Sequence, residues 1–214
     1  MKIKINEIFY SIQGESTFSG LPCVFIRLTG CNLRCSYCDT EYSYNEGTFY
    51  QENQIIDEIS KFECKLVLLT GGEPLYQDHT KNLIKTLADL DYKVLLETNG
   101  TYDLANLDDR CIKIMDIKCP DSNVSDSTYI SNIRYFKGDD QIKFVLSSRT
   151  DYEFAKDIIL KKLNDIPYQN IIISSVKEKL TLSDLAKWIL EDNLKVRLQI
   201  QIHKFIWPDV ERGV

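Results

Sequence analysis

Hydrophobic and polar positions follow two periods along this chain, and the two keep exchanging. Residues 2–9 set Ile3 and Ile5 against polar neighbours before reaching Ile8 and Phe9, the period of two that predicts an edge strand with one wet face. Residues 24–29 predict a second strand. Helical spacing follows over 54–62, where Ile55, Ile56, Ile59 and Phe62 share a stripe. Residues 65–70 are a continuous apolar run, as a parallel strand covered on both faces requires. The exchange goes on with a helix over 79–90 and strands over 93–97, 112–117 and 141–146. A helix over 151–163, a strand over 170–174 and a helix over 181–191 follow, the last capped by Thr181 and Asp184. Residues 196–202 alternate again, with Arg197, Gln199 and Gln201 on a face that meets either solvent or, with His203, a pocket.

Five strands end in polar or glycine-bearing loops, after Thr29, Thr70, Glu97, Lys118 and Leu146. A common polarity of that kind marks βα units whose active site lies at the C-terminal ends of parallel strands. At 214 residues the chain falls short of the roughly 250 of a full eight-stranded barrel. The expected fold is therefore α/β, an incomplete (partial) TIM-like β/α barrel in a single domain over residues 1–214. Residues 41–51 read as a surface loop. The polar stretches 108–110 and 122–131 are too short to divide domains.

Candidate chemistry concentrates in the loops. Cys31, Cys35 and Cys38 place three thiols within eight residues, just after the strand over 24–29. A closed zinc site wants four ligands, usually as two separated pairs, and no second pair follows. A four-iron cluster held by three thiols keeps one iron open to a ligand. Cys23, Cys64 and Cys111 sit singly beside apolar runs and read as small buried hydrophobes. Thr70-Gly71-Gly72-Glu73-Pro74 ends a buried strand, where glycines let backbone groups approach a ligand and Glu73 adds a carboxylate.

Three further features stand out. The polar loop over 11–16 is either a turn or, through Gln13 and Glu15, a set of donors and acceptors for a polar heterocycle. Arg27 is a charge inside an apolar strand and needs a partner, either a structural ion pair or a ligand carboxylate held bidentately. Asp39 and Thr40 bring oxygen donors next to the thiols, although Thr40 also suits a loop cap. His79 reads as an exposed residue at a helix start.

Composition narrows the partners. The net charge is −6 and the 26 basic residues are scattered, which argues against nucleic acid. No stretch approaches the roughly 18 apolar residues of a membrane span, and the alternation over residues 1–5 is unlike a signal peptide. A cytoplasmic location is expected. There, seven cysteines suggest metal binding before disulfides.

The cysteine spacing, with Tyr37 just before the last thiol, resembles the cluster motif of the radical S-adenosylmethionine (radical SAM) superfamily, and residues 70–74 resemble its Gly-Gly-Glu-Pro motif. Residues 13–15, Arg27, 38–40, 97–100, 116–120 and the terminal Arg212-Gly213-Val214 resemble the 7-carboxy-7-deazaguanine synthase family over nearly the whole chain. That resemblance implies ring contraction of 6-carboxy-5,6,7,8-tetrahydropterin with loss of ammonia, using a 4Fe-4S cluster, S-adenosylmethionine and magnesium (Mg2+). By carry-over, Cys31, Cys35 and Cys38 hold the cluster and Thr40 ligates magnesium. Ile12, Gln13, Gly14, Arg27, Thr70 and Val214 contact the pterin. Tyr37, Cys38, Asp39, Gly72, Lys118 and Ser147 contact S-adenosylmethionine. The resemblance also implies a reductant such as flavodoxin or ferredoxin and a homodimer. Cys119 departs from many family members and reads as incidental. Rival readings are a glycyl-radical-enzyme activase or other small radical SAM enzyme, and a zinc-binding interaction module.

Overall fold

A computed structural model describes residues 2–214; Met1, and with it the first residue of the alternation over 1–5, lies outside the described residues. The strands are β1 (Lys2–Ile12), β2 (Pro22–Leu28), β3 (Thr48–Gln51), β4 (Leu66–Gly71), β5 (Lys93–Thr98), β6 (Ile112–Asp116), β7 (Gln141–Leu146), β8 (Ile171–Ser175) and β9 (Arg197–Leu198). The helices are α1 (Glu52–Ile59), α2 (Thr80–Asp89), α3 (Arg149–Lys162), α4 (Leu182–Glu191) and α5 (His203–Ile206). Among the described residues the strands form one sheet in the order β3-β1-β2-β4-β5-β6-β7-β8-β9, an open series. From β2 to β9 every neighbouring pair is parallel, whereas β1 runs antiparallel to both β2 and β3. This is the partial barrel that the alternating periods predict.

Several boundaries differ from expectation. The first strand reaches Ile12 and is covered on its outer side by β3, so it is no edge. The segment over 41–51 is ordered, as a 3-10 turn at Glu41–Tyr44 followed by β3, where main-chain pairing with β1 outweighs a loop-like composition. The late alternation over 196–202 shrinks to Arg197–Leu198: the Gln199 N–H still reaches the Ile173 carbonyl of β8 at 2.9 Å, but the Ile202 N–H turns away to the Gly14 carbonyl at 3.1 Å. Residues 120–135 fold as three 3-10 turns, Pro120–Ser122, Ser125–Ser127 and Ile130–Tyr135.

Alternate strand positions pack on opposite faces. Val24, Ile26 and Leu28, with Val67, Leu69, Val94, Leu96 and Met115, join the helices in the large outer core. Cys23, Phe25, Leu68, Leu95 and Ile114 form a smaller inner cluster, against which Phe9 and Phe18 pack. One inner-facing step further along each strand the residues are Arg27, Thr70, Glu97 and Asp116, and β7 contributes Lys143 in register with Asp116. The interior is thus apolar at its base and charged above it.

The β1–β2 turn spans the opening of the sheet. Gln199 accepts from the Ser16 N–H at 2.7 Å and donates to the Ser16 carbonyl at 2.7 Å. Gln141, at the start of β7, accepts from the Thr17 N–H at 2.9 Å and donates to its hydroxyl at 2.8 Å. Both glutamines are buried, so these bonds are made without competing water. Replacing Gln199 by Leu orphans the buried Ser16 N–H and carbonyl; urea denaturation is expected to show a loss of about 1–3 kcal/mol.

Candidate active site

The thiol loop leaves β2 and passes under the end of β4. An alanine Cβ at Gly72 would lie 2.0 Å from the Gly30 carbonyl oxygen and 2.9 Å from Cys31 Cβ, so only a glycine lets the two loops touch. The Glu73 N–H donates to that same carbonyl at 2.8 Å. The Glu73 side chain does not face a ligand, contrary to the reading of a carboxylate offered at the strand end. It is fully buried and accepts from the Leu75 N–H at 2.9 Å, the Thr98 hydroxyl at 2.9 Å and the Asn99 N–H at 2.7 Å, tying the end of β4 to the end of β5. Burial pushes its carboxyl up to about 7, against the pull of those donors.

Above the charged layer lies a cavity of about 890 Å³. It gathers Ile12, Gln13, Gly14, Arg27, Cys31, Cys35, Tyr37, Cys38, Asp39, Thr40, Thr70, Gly72, Lys118 and Val214, residues far apart in the chain. Ser147 is the exception: it does not line the cavity, and its N–H donates to Asp151 at 2.8 Å. Among the described residues its buried hydroxyl has no hydrogen-bond partner, and neither have Asp116 Oδ1 and the Ser174 hydroxyl at neighbouring strand ends or Glu15 Oε2.

All three thiols are free and half-buried on this one cavity. Burial raises the pKa of Cys31 and of Cys35, a bias that binding to a metal would reverse. The Leu33 N–H points at Cys31 Sγ at 3.4 Å, the kind of donor that tunes a sulfur ligand. Thiols on one loop, open space in front of them and N–H groups behind them fit an iron–sulfur cluster. Thr40 Oγ1 lies 3.8 Å from Cys38 Sγ and makes no cap bond to the 3-10 turn it precedes.

Arg27 has the structural ion pair of its first reading and, among the described residues, keeps its terminal nitrogens free of protein hydrogen bonds for the second. Its Nε donates to Glu7 Oε1 at 2.7 Å across the β1–β2 pair, while the guanidinium lies 5.8 Å from the ring centroids of Phe9 and of Tyr42. Among the described residues neither terminal nitrogen carries a protein hydrogen bond, and the residue lines the cavity. Lys118 pairs with Asp116 at 2.7 Å; burial opposes its charge, yet Asp116 and the Cys35 thiol hold its pKa above the usual range.

Sequence reading missed Lys143. It is buried in the apolar run of β7 and pairs with Glu15 at 2.7 Å and Glu97 at 2.6 Å. A lysine between Ile142 and Phe144 is the same kind of signal that singled out Arg27. The last residues cover the cavity: Arg212 pairs with Glu46 at 2.9 Å and stacks over Tyr42 at 4.1 Å, and Lys204 pairs with Asp39 at 2.9 Å. Gly14 sits directly beneath α5, where a Cβ would lie 1.9 Å from His203 Nδ1.

Residues 25–120 match the Radical SAM superfamily. The 7-carboxy-7-deazaguanine synthase of Koribacter versatilis (strain Ellin345) is 41% identical, over 99% of this chain and all of that protein. That of Chlorobaculum tepidum is 40% identical over 99% of this chain and 97% of its own length. The chain belongs to the 7-carboxy-7-deazaguanine synthase family. The crystal structure of QueE from Escherichia coli shares the fold, with a TM-score of 0.77 at 21% identity over 93% of this chain and 94% of that one.

In this family member Glu73 supports the fold from within. The folded protein holds its proton more tightly than the unfolded chain does, so its contribution to stability is greatest in acid and is lost as pH rises from about 4.5 to about 7. Between about pH 5 and about pH 7.5, wild type is expected to lose about 1–3 kcal/mol relative to Glu73→Gln, read from denaturation midpoints at the two pH values.

Proposed function

We propose that this radical SAM enzyme of 7-deazapurine biosynthesis converts 6-carboxy-5,6,7,8-tetrahydropterin to 7-carboxy-7-deazaguanine, contracting the ring with loss of ammonia. The observation that carries the substrate is Arg27. Its guanidinium is fixed at Nε by Glu7 and by two aromatic neighbours, while its terminal nitrogens carry no protein hydrogen bond among the described residues and the residue lines the cavity. A planar fork held that way suits a carboxylate.

Cys31, Cys35 and Cys38 would hold the 4Fe-4S cluster and Thr40 the magnesium ion, whose preference for oxygen ligands suits a hydroxyl beside a substrate carboxylate. Together with S-adenosylmethionine, the bound cluster would supply one-electron radical chemistry. The chain's own residues bind, orient and exclude water. Ile12, Gln13, Gly14, Thr70 and Val214 surround the pterin alongside Arg27, offering the amide-like edges a flat heterocycle needs. Tyr37, Cys38, Asp39, Gly72 and Lys118 would contact S-adenosylmethionine, Ser147 being the weaker candidate because it does not line the cavity. Gly72 gives that cofactor a backbone edge without a side chain. Asp116, whose Oδ1 has no hydrogen-bond partner among the described residues, lines the same cavity.

The chain works as a single domain, takes electrons from a flavodoxin- or ferredoxin-like donor, and acts in the cytoplasm as a homodimer. Among the described residues no helix is long and apolar enough to cross a membrane.

Reconstituted protein given S-adenosylmethionine, reductant and carboxytetrahydropterin is expected to yield the deazaguanine with S-adenosylmethionine largely unconsumed. Deoxyadenosine alone at every pterin dose would overturn the substrate. Arg27→Ala is expected to raise the apparent Kd for the pterin about 10- to 100-fold in a binding titration while iron content stays intact. Loss of the iron would make Arg27 structural.

A further inference from the structure

Across the charged layer the inner-facing residues follow strand order. Arg27 on β2 pairs in register with Thr70 on β4, and the Thr70 hydroxyl donates to Glu97 Oε2 on β5 at 2.9 Å. From β7 Lys143 reaches the other oxygen of Glu97 at 2.6 Å and Glu15 Oε2 at 2.7 Å, while Gln201 donates to Glu15 Oε1 at 2.7 Å. One side of the cavity floor therefore presents a guanidinium, and the other presents two carboxylates on a shared ammonium.

We propose that Lys143 is a positioning residue of the pterin site, fixing the Glu15 and Glu97 carboxylates so that they accept the N–H groups of the substrate's aminopyrimidinone edge. The inference rests on the reading of this cavity as a carboxypterin site. The Lys143 side chain is 6% exposed, against 18% for Glu15 and 27% for Glu97, so the cation lies behind the two anions and the anions face the cavity. Each carboxylate oxygen offers about two acceptor positions. Both oxygens of Glu97 and Oε1 of Glu15 each have one position filled, by Lys143, Thr70 and Gln201 respectively, which leaves one apiece for a ligand, while Glu15 Oε2 is buried against the Lys143 ammonium.

Electrostatics points the same way. Two carboxylates on one ammonium leave an excess negative charge in a partly desolvated wall, and such a wall favours a ligand edge made of donors. The 2-amino group and ring N–H of a pterin supply them, while its carboxylate lies toward Arg27. Burial opposes charge on Lys143, but Glu15 and Glu97 hold its pKa well above the usual range. Burial likewise raises Glu15, and Lys143, joined by Gln201 and His203, more than offsets that.

The test uses cluster-loaded protein and two ligands, 6-carboxytetrahydropterin and its analogue lacking the 2-amino group. In wild type the analogue is expected to bind about tenfold more weakly. In Lys143→Met the parent pterin is expected to weaken about tenfold, KM to rise more than kcat falls, and the analogue's penalty to shrink below about threefold, with iron content and S-adenosylmethionine binding unchanged. A merely structural role would weaken both ligands alike, so an amino-group penalty of equal size in wild type and Lys143→Met overturns the proposal. Should Lys143→Met lose its iron, Glu15→Gln and Glu97→Gln decide: a penalty undiminished in both overturns it, and a penalty reduced in either supports it. If wild type binds no pterin at all, the substrate reading itself falls and the Lys143 proposal falls with it, a result distinct from equal penalties.

Discussion

Charge compensation inside the barrel is the constraint on which the site depends. Buried ionic groups are tolerated only where each finds a partner, and the inner face above Phe25, Leu68, Leu95 and Ile114 carries several at once. Arg27 is met by Glu7, Lys118 by Asp116, and Lys143 by Glu15 and Glu97. The Arg27 and Lys143 pairs join strands and turns distant in sequence, whereas the Lys118 pair is local to the end of β6. The registers that align Arg27 with Thr70 and Asp116 with Lys143 make the pairing possible, and a one-residue slip would exchange this layer with the outer core.

A second dependence runs through loop contacts. The Gly72 backbone lies against Gly30, and the buried Glu73 carboxylate takes donors from the start of its own turn and from the end of β5. The thiol loop therefore rests on the β4 loop, and the β4 loop is tied to the end of β5. The β1–β2 turn contributes in a different way. Held by Gln199 and Gln141, it brings Gln13, Gly14 and Glu15 under the cavity and carries Phe18 into the apolar base.

Much of this is legible in the amino-acid sequence. Alternating periods gave the partial barrel, and Cys31, Cys35, Cys38 and Gly72 marked the cavity because their types and spacing carry chemistry by themselves. Arg27 was legible as a charge in an apolar strand. Lys143 carried an equal signal inside Gln141–Leu146 and was passed over, because its partners Glu15 and Glu97 are local to it only in three dimensions. Glu73 misled for a related reason: a carboxylate in a glycine turn reads as a ligand group until its three internal donors are known. The strand at Thr48–Gln51 stayed hidden because its pairing with β1, and not its own pattern, makes it a strand.

The two sides of the cavity are fastened by different physics. Below, the ammonium of Lys143 is almost wholly covered, so its attachments feel little of the surrounding salt. Above, Arg212 and Glu46 are 49% and 60% exposed, and Lys204 and Asp39 36% and 56%, the range in which ion pairs contribute little and electrolyte weakens them. Rising ionic strength therefore loosens the covering C-terminal segment first, while the geometry beneath it stays as it was.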